Sequence, residues 1–151
     1  MIAILDFGSQ YTQLIARRIR SMHVYSEIYP YNIDLNEIAK EHQIEGIILS
    51  GGPGNVSTEN AFMVDQKALE SFKVPVLGIC YGMQLLSHFY GGQVVSKSGG
   101  SEYGFAEIKI NQKSPLFLGL QTNQVVWMSH GDHVEKLPEG FELIGESSQA
   151  V

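Results

Sequence analysis

Cysteine is almost absent: Cys80 is the single thiol in 151 residues. An internal disulfide is therefore excluded, and a reducing, cytoplasmic setting is the simplest expectation. Basic residues are few. Ten Lys and Arg stand against sixteen Asp and Glu, a formal net charge of −6. Nucleic acid is disfavoured as a main partner, because a phosphate backbone needs a basic face. No apolar run approaches the ~18 residues of a membrane span, so no membrane partner is expected. The opening residues from Met1 to Gln10 lack the basic start and the cleavage site of a signal peptide. Repeats, low-complexity tracts and internal linkers are lacking too. What is present is 44% hydrophobic and 17% charged. That suffices for a full core, and the length suits one compact domain.

Short apolar runs alternate with amphipathic stretches. Ile2–Leu5, Val24–Tyr29, Gly46–Leu49 and Pro75–Ile79 read as strands. Gln10–Met22 reads as a helix, with Leu14, Ile15, Ile19 and Met22 at helical spacing and Ser9 as N-cap. Asp34–Glu41 reads as a short helix with Leu35, Ile38 and Ala39 inward. Ala61–Phe72 reads as a third, with Phe62, Val64, Ala68, Leu69 and Phe72 on its apolar face. A fourth follows at about Gly82–Phe89. This alternation predicts an α/β fold with a doubly wound, mostly parallel sheet of flavodoxin type. After Gly91-Gly92 the pattern changes. Val94–Val95, Phe105–Ile110, Val125–Met128 and Phe141–Gly145 read as strands without long helices between them. They predict an antiparallel extension on the same sheet.

The sharpest local signal is Gly78-Ile79-Cys80-Tyr81-Gly82. Glycines flank a nucleophile-type residue at −2 and +2, with an apolar strand before and a helix after. This is the G-x-S-x-G elbow with cysteine in place of serine. So tight a strand-to-helix turn leaves no room for Cβ atoms. The helix N-terminus favours thiolate over thiol, and the Tyr81 N–H is placed to donate to an oxyanion. Ser50-Gly51-Gly52-Pro53-Gly54 ends the third strand. It is not a P-loop, since no Gly-Lys-Ser/Thr follows. Beside the elbow its Gly52 N–H is the expected second oxyanion donor. No metal ligand set is expected.

These residues carry a resemblance. The run from Asp6 to Arg20 is similar to the N-terminal signature of the GMP synthases. Ser50-Gly51-Gly52-Pro53 resembles the oxyanion strand of the class I glutamine amidotransferases, and Gly78 to Gln84 resembles their nucleophile segment. Val126-Trp127-Met128-Ser129-His130-Gly131-Asp132 is similar to a glutamine-site segment of GMP synthases. The likeness spans almost the whole chain, in the family's order. It implies a glutaminase in which Cys80 forms a γ-glutamyl thioester and releases ammonia. Gln84 and the backbone of Ser129, His130 and Gly131 would hold the amino-acid end of glutamine. The partner it implies is an ATP-pyrophosphatase domain of the same enzyme, which uses ATP and Mg to adenylate XMP and then aminates it to GMP. The glutaminase part itself has no cofactor, and the parent enzyme is compatible with a homodimer.

The chain also departs from the family. The Glu102-Tyr103-Gly104 loop would flank the site, but Ser101 stands where Arg is common and Phe105 where His is common. A cysteine nucleophile needs a base and an orienting group, which the family supplies as a His-Pro-Glu segment. None occurs here. His23 and His42 read as surface residues, His88 lies along the elbow helix, and His130 is assigned to the glutamine site. The expectation is a domain over residues 1–151 that is incomplete at its C-terminus. The alternatives are a non-catalytic fragment or another class I amidotransferase. Arg17, Arg18 and Arg20 read as a solvated helix face, and Trp127 as a core or edge aromatic.

Overall fold

In a computed structural model of the chain, the structure describes residues 1–96 and 102–147. The chain divides into two compact units, Met1–Phe89 and Tyr90–Val151.

The first unit is built from strands β1 (Ile2–Asp6), β2 (Ser26–Pro30), β3 (Gly46–Leu49) and β4 (Val76–Gly78). Helices α1 (Thr12–Ser21), α2 (Leu35–Glu41), α3 (Gln66–Ser71) and α4 (Tyr81–Phe89) follow them in alternation. All strand pairs are parallel, in the order β2-β1-β3-β4. The near-continuous aliphatic character of β1 and β3 suits strands covered on both faces. Ala3, Ile4, Leu5, Ile47 and Leu49 are all buried. Ala16 and Ile19 of α1 pack on Ile4. Among the described residues no helix is long and apolar enough to cross a membrane.

The doubly wound reading holds, with local corrections. Helix α1 begins at Thr12, so its inner stripe is Thr12, Ala16 and Ile19. Leu14 and Met22 fall off that stripe and are exposed. Ser9 is not the N-cap; that position is Tyr11. Ser9 instead closes the turn ahead of the helix, its Oγ accepting from the Tyr11 N–H at 3.1 Å. In α2, Leu35 and Ile38 are inward but Ala39 faces solvent. The helix expected from Ala61 begins only at Gln66, because the Asp65 carboxylate caps it by accepting from the N–H groups of Lys67 and Ala68.

The second unit holds β5 (Gln93–Ser96), β6 (Glu102–Ile110), β7 (Asn123–His130), β8 (Asp132–Lys136) and β9 (Gly145–Glu146). All the pairings among its described residues are antiparallel. Among the described residues these strands form two sheets of their own, β5-β8 and β7-β6-β9, rather than continuing the parallel sheet as expected. The strand expected at Phe141–Gly145 is reduced to Gly145–Glu146, and Phe141 packs instead on Tyr90 with ring centroids 5.5 Å apart. Glu102, Tyr103 and Gly104 open β6 rather than forming a loop. Ser101 lies outside the described residues. Trp127 is an edge aromatic and not a core one: among the described residues β7 is an outer strand of its sheet, and Trp127 stands there opposite Phe105 with 82% of its surface exposed.

Candidate active site

Three loops converge at the carboxyl end of the parallel sheet, following β1, β3 and β4. The sheet grows in opposite directions from β1 (to β2 on one side, to β3 on the other), and α/β ligand sites lie at such a reversal.

The β4–α4 turn is the tightest of the three. Cys80 has φ +51°, in the left-handed region that few non-glycine residues enter. Helix α4 begins at the next residue, and the Gln84 N–H donates to the Cys80 carbonyl at 3.0 Å. The turn is fastened to β3. The Ile79 N–H donates to Leu49 O at 2.9 Å and the Gly82 N–H to Ser50 O at 3.1 Å. This approach requires glycine. A Cβ at Gly82 would lie 2.3 Å from Leu49 O, and one at Gly78 would lie 2.6 Å from the Gly82 backbone. The sequence reading that the flanking glycines make room is therefore met by specific atoms.

The glycine loop after β3 runs beside this turn. A Cβ at Gly51 would stand 3.5 Å from both the Cys80 Cβ and the Ser9 Oγ. A Cβ at Gly52 would strike Phe7 O at 2.4 Å. Ser50, fully buried, stitches the loops together: its Oγ accepts from the Phe7 N–H at 3.0 Å and donates to Gly51 O at 2.8 Å. On the β1 side, Thr12 Oγ1 donates to Asp6 Oδ1 at 2.7 Å.

Tyr81 is fully buried, and its hydroxyl donates to Phe62 O at 3.0 Å. Burial pushes its phenol pKa up. Phe7 and Phe62 pack against it, the Phe7–Tyr81 centroids 5.3 Å apart, and Tyr31 stacks on Phe7 at 5.4 Å. Sequence reasoning missed this cluster. It placed Phe62 on a helix face, whereas Phe62 lies before α3 and packs on Tyr31 at 5.2 Å. The available signal was an aromatic in each of the segments after β1, β2 and β3 and another beside the cysteine.

Of the expected site residues, the structure brings Cys80, Tyr81, Gln84 and the Gly51–Gly52 loop to one end of the first unit. Gln84 is buried, one turn into α4. Ser129, His130 and Gly131 belong to the second unit. Ser129 is exposed and pairs with Tyr103, and Gly131 is half-buried between β7 and β8. The His130 side chain lies outside the described residues. Of the other histidines, His23 and His88 are exposed, His42 is half-buried and His133 is buried. An open depression of ≈ 460 Å³ lined by Met1, His23, Tyr25, His42 and Glu45 lies at the opposite, amino-terminal end of the sheet. It includes none of the expected site residues.

Residues 3–151 match the model of the family described as Glutamine amidotransferase class-I. The chain is 54% identical to a GMP synthase [glutamine-hydrolyzing] of Wolinella succinogenes, over 99% of this chain and 29% of that protein. It is 55% identical to the corresponding protein of Bacillus subtilis, over 95% of this chain and 27% of that one. It thus spans under a third of the length of these curated relatives. Among solved structures it is similar to a candidate GMP synthase subunit from Thermoplasma acidophilum, with TM-score 0.83 and 29% identity, covering 99% of this chain and 73% of that one. A glutamine amidotransferase from Thermotoga maritima shares the fold, with TM-score 0.73 and 18% identity, over 99% of this chain and 67% of that one. A strained cysteine between two sterically obligatory glycines, together with a family match over nearly the full length, identifies this chain as a member of the class I glutamine amidotransferases.

Proposed function

We propose that residues 1–151 are the glutamine-hydrolysing part of a GMP synthase. The Cys80 thiolate attacks the γ-carboxamide carbon of glutamine. The N–H groups of Gly52 and Tyr81 receive the developing oxyanion. The C–N bond breaks as the leaving nitrogen takes up a proton, ammonia departs, and water hydrolyses the thioester to glutamate. Gln84, Ser129, His130 and Gly131 hold the amino-acid end of the substrate. The ammonia passes to an ATP-pyrophosphatase part of the same enzyme, where ATP and Mg²⁺ activate XMP for amination to GMP. The setting is the cytoplasm.

The observation that carries this reading is the backbone of Cys80. A φ of +51° on a cysteine costs about 1–3 kcal/mol, and such strain persists where surrounding structure enforces it, often at functional sites. A buried cysteine serving only as a small hydrophobe has no use for it. The names of the relatives, GMP synthase [glutamine-hydrolyzing], support glutamine as the nitrogen source and GMP as the product.

The test is Cys80→Ala in the intact enzyme. Glutamine-dependent GMP formation should vanish while formation from added ammonia persists. Survival of the glutamine-dependent reaction would remove Cys80 from its role.

A further inference from the structure

We infer that Ser50 is a positioning residue whose hydroxyl fixes the Gly51–Gly52 peptide, and with it the aim of the Gly52 N–H at the carbonyl oxygen of the substrate. The inference rests on the reading of Cys80 and Gly52 given under Proposed function.

The Ser50 Oγ is fully buried and makes two bonds with different partners. It accepts from the Phe7 N–H at 3.0 Å and donates to Gly51 O at 2.8 Å. The first bond anchors the hydroxyl to the end of β1, and so leaves its proton directed at Gly51. The second bond holds a carbonyl. Because the peptide is planar and trans, the C=O of Gly51 and the N–H of Gly52 point in opposite directions. Fixing one therefore fixes the other, and the N–H points away from the hydroxyl. The strand order is β1-β3-β4 across this part of the sheet. A hydroxyl tied to the end of β1 thus turns the Gly52 N–H away from β1, toward the side on which β4 delivers Cys80. Gly51 stands between the two sides, its Cβ position 3.5 Å from both the Cys80 Cβ and the Ser9 Oγ, so the sulfur is within reach of the peptide that follows it.

The loop needs such a device. Two consecutive glycines have no Cβ atoms to restrict rotation of the peptide between them. Gly52 cannot carry one, since a Cβ there would lie 2.4 Å from Phe7 O. Side-chain sterics are thus unavailable, and a hydrogen bond from a buried neighbour supplies the restraint. An oxyanion donor acts through preorganisation: it must already point at the oxygen before charge develops.

This role separates two reactions of the same sulfur. Acylation by L-glutamic acid γ-p-nitroanilide passes through a tetrahedral oxyanion, forms the S–C bond and expels p-nitroaniline, which takes up a proton. Alkylation by iodoacetamide forms an S–C bond and expels iodide, with no oxyanion. In the full 151-residue chain, Ser50→Ala should slow acylation about tenfold or more, part of the ~10²–10³-fold loss on removing a donor outright. Its alkylation rate should stay within about twofold, which also reports an intact elbow. Ser50→Thr keeps the hydroxyl and should recover acylation. If Ser50→Ala does not fold, Ser50→Gly, which also lacks the hydroxyl and adds no second thiol, carries the same expectation. Acylation of the Ser50 variant at the parent rate, or a parallel fall of both reactions, would overturn the inference. Failure of the unsubstituted chain to acylate at all, with Cys80→Ala as blank, would instead overturn the reading of Cys80 on which it rests.

Discussion

Cys80 carries a β-carbon in a backbone region where L-residues lose roughly 1–2 kcal/mol, and the molecule holds it there through its neighbours. Gly82 lies against Leu49 so closely that no side chain fits, and its N–H is shared between Ser50 O and Ile79 O at 3.1 and 3.0 Å. Gly82→Ala would drive a methyl to 2.3 Å from a strand carbonyl, and backbone cannot yield as a flexible side chain can. We expect a loss of about 1–3 kcal/mol or more, as for overpacked interiors, read as a lower urea midpoint at unchanged slope. A midpoint equal to that of the parent would mean that the turn tolerates a Cβ. The flanking glycines were legible in the sequence because a small residue at fixed offsets from a nucleophile has few other uses. Ser50 was not legible as more than part of a motif. Its partners, Phe7 N–H and Gly51 O, are backbone atoms, one of them forty-three residues away, and no pattern of residue types encodes such a bond.

At the scale of elements, β1 and β3 were the most readable because their aliphatic runs are covered on both faces. The third helix was misread for a physical reason. Phe62 and Val64 are apolar because the sheet's end needs them, Phe62 beside Tyr81 and Val64 in the core; helical spacing was coincidental. Asp65, a strong capping residue, held the correct start. Strand β8 escaped notice because Val134 is its only aliphatic residue among Asp132, His133, Glu135 and Lys136. Strand β2 lies at one edge of the parallel sheet, with Glu27 accepting hydrogen bonds from the hydroxyls of Tyr25 and Tyr29. Those two bonds, Tyr25 first, hold the Glu27 carboxyl below its ordinary value of 4.5. A depressed carboxylate pKa contributes stability that is present above the unfolded pKa and lost as pH falls through the folded one. Stability should therefore decline below about pH 4.5 in part through this group. In Glu27→Gln that part of the slope should be missing, as followed by thermal unfolding from pH 6 to pH 3, roughly the range over which carboxylates titrate. The effect is modest because the carboxylate faces solvent. Identical pH slopes in parent and variant would show that the two tyrosines do not favour the ionised form.

At the scale of the whole chain, the parts of the proposed chemistry are unevenly distributed. The first unit holds the sulfur, the strained turn and the two proposed oxyanion donors. It also holds nearly all the buried aliphatic residues, whereas Ile110 and Val134 are the buried aliphatics described in the second. A thiol nucleophile also needs a base that takes its proton and returns one to the leaving nitrogen. The histidines described in the first unit do not meet that need. His23 and His88 are exposed, and His42 lies 3.9 Å from Glu27, beyond the amino-terminal end of the sheet. We therefore expect the 151-residue chain alone to hydrolyse glutamine slowly. Acyl-transfer sites that lose a member of the nucleophile–base set keep a residual advantage of roughly 10³–10⁴ over water through oxyanion stabilisation and binding. Glutamate release should thus be measurable, dependent on Cys80, and far below the usual range of about 1–10³ s⁻¹. The leaving group should decide the size of the defect. An anilide departs with little help from an acid, whereas an amide nitrogen must be protonated to leave. The γ-p-nitroanilide should accordingly be cleaved much faster than glutamine itself, and the ratio should shrink when the chain is supplied with millimolar imidazole as an external base. Turnover of glutamine in the ordinary enzymatic range by the unaided chain would assign the base to a histidine within these residues, with His130 and His133 the ones to substitute first.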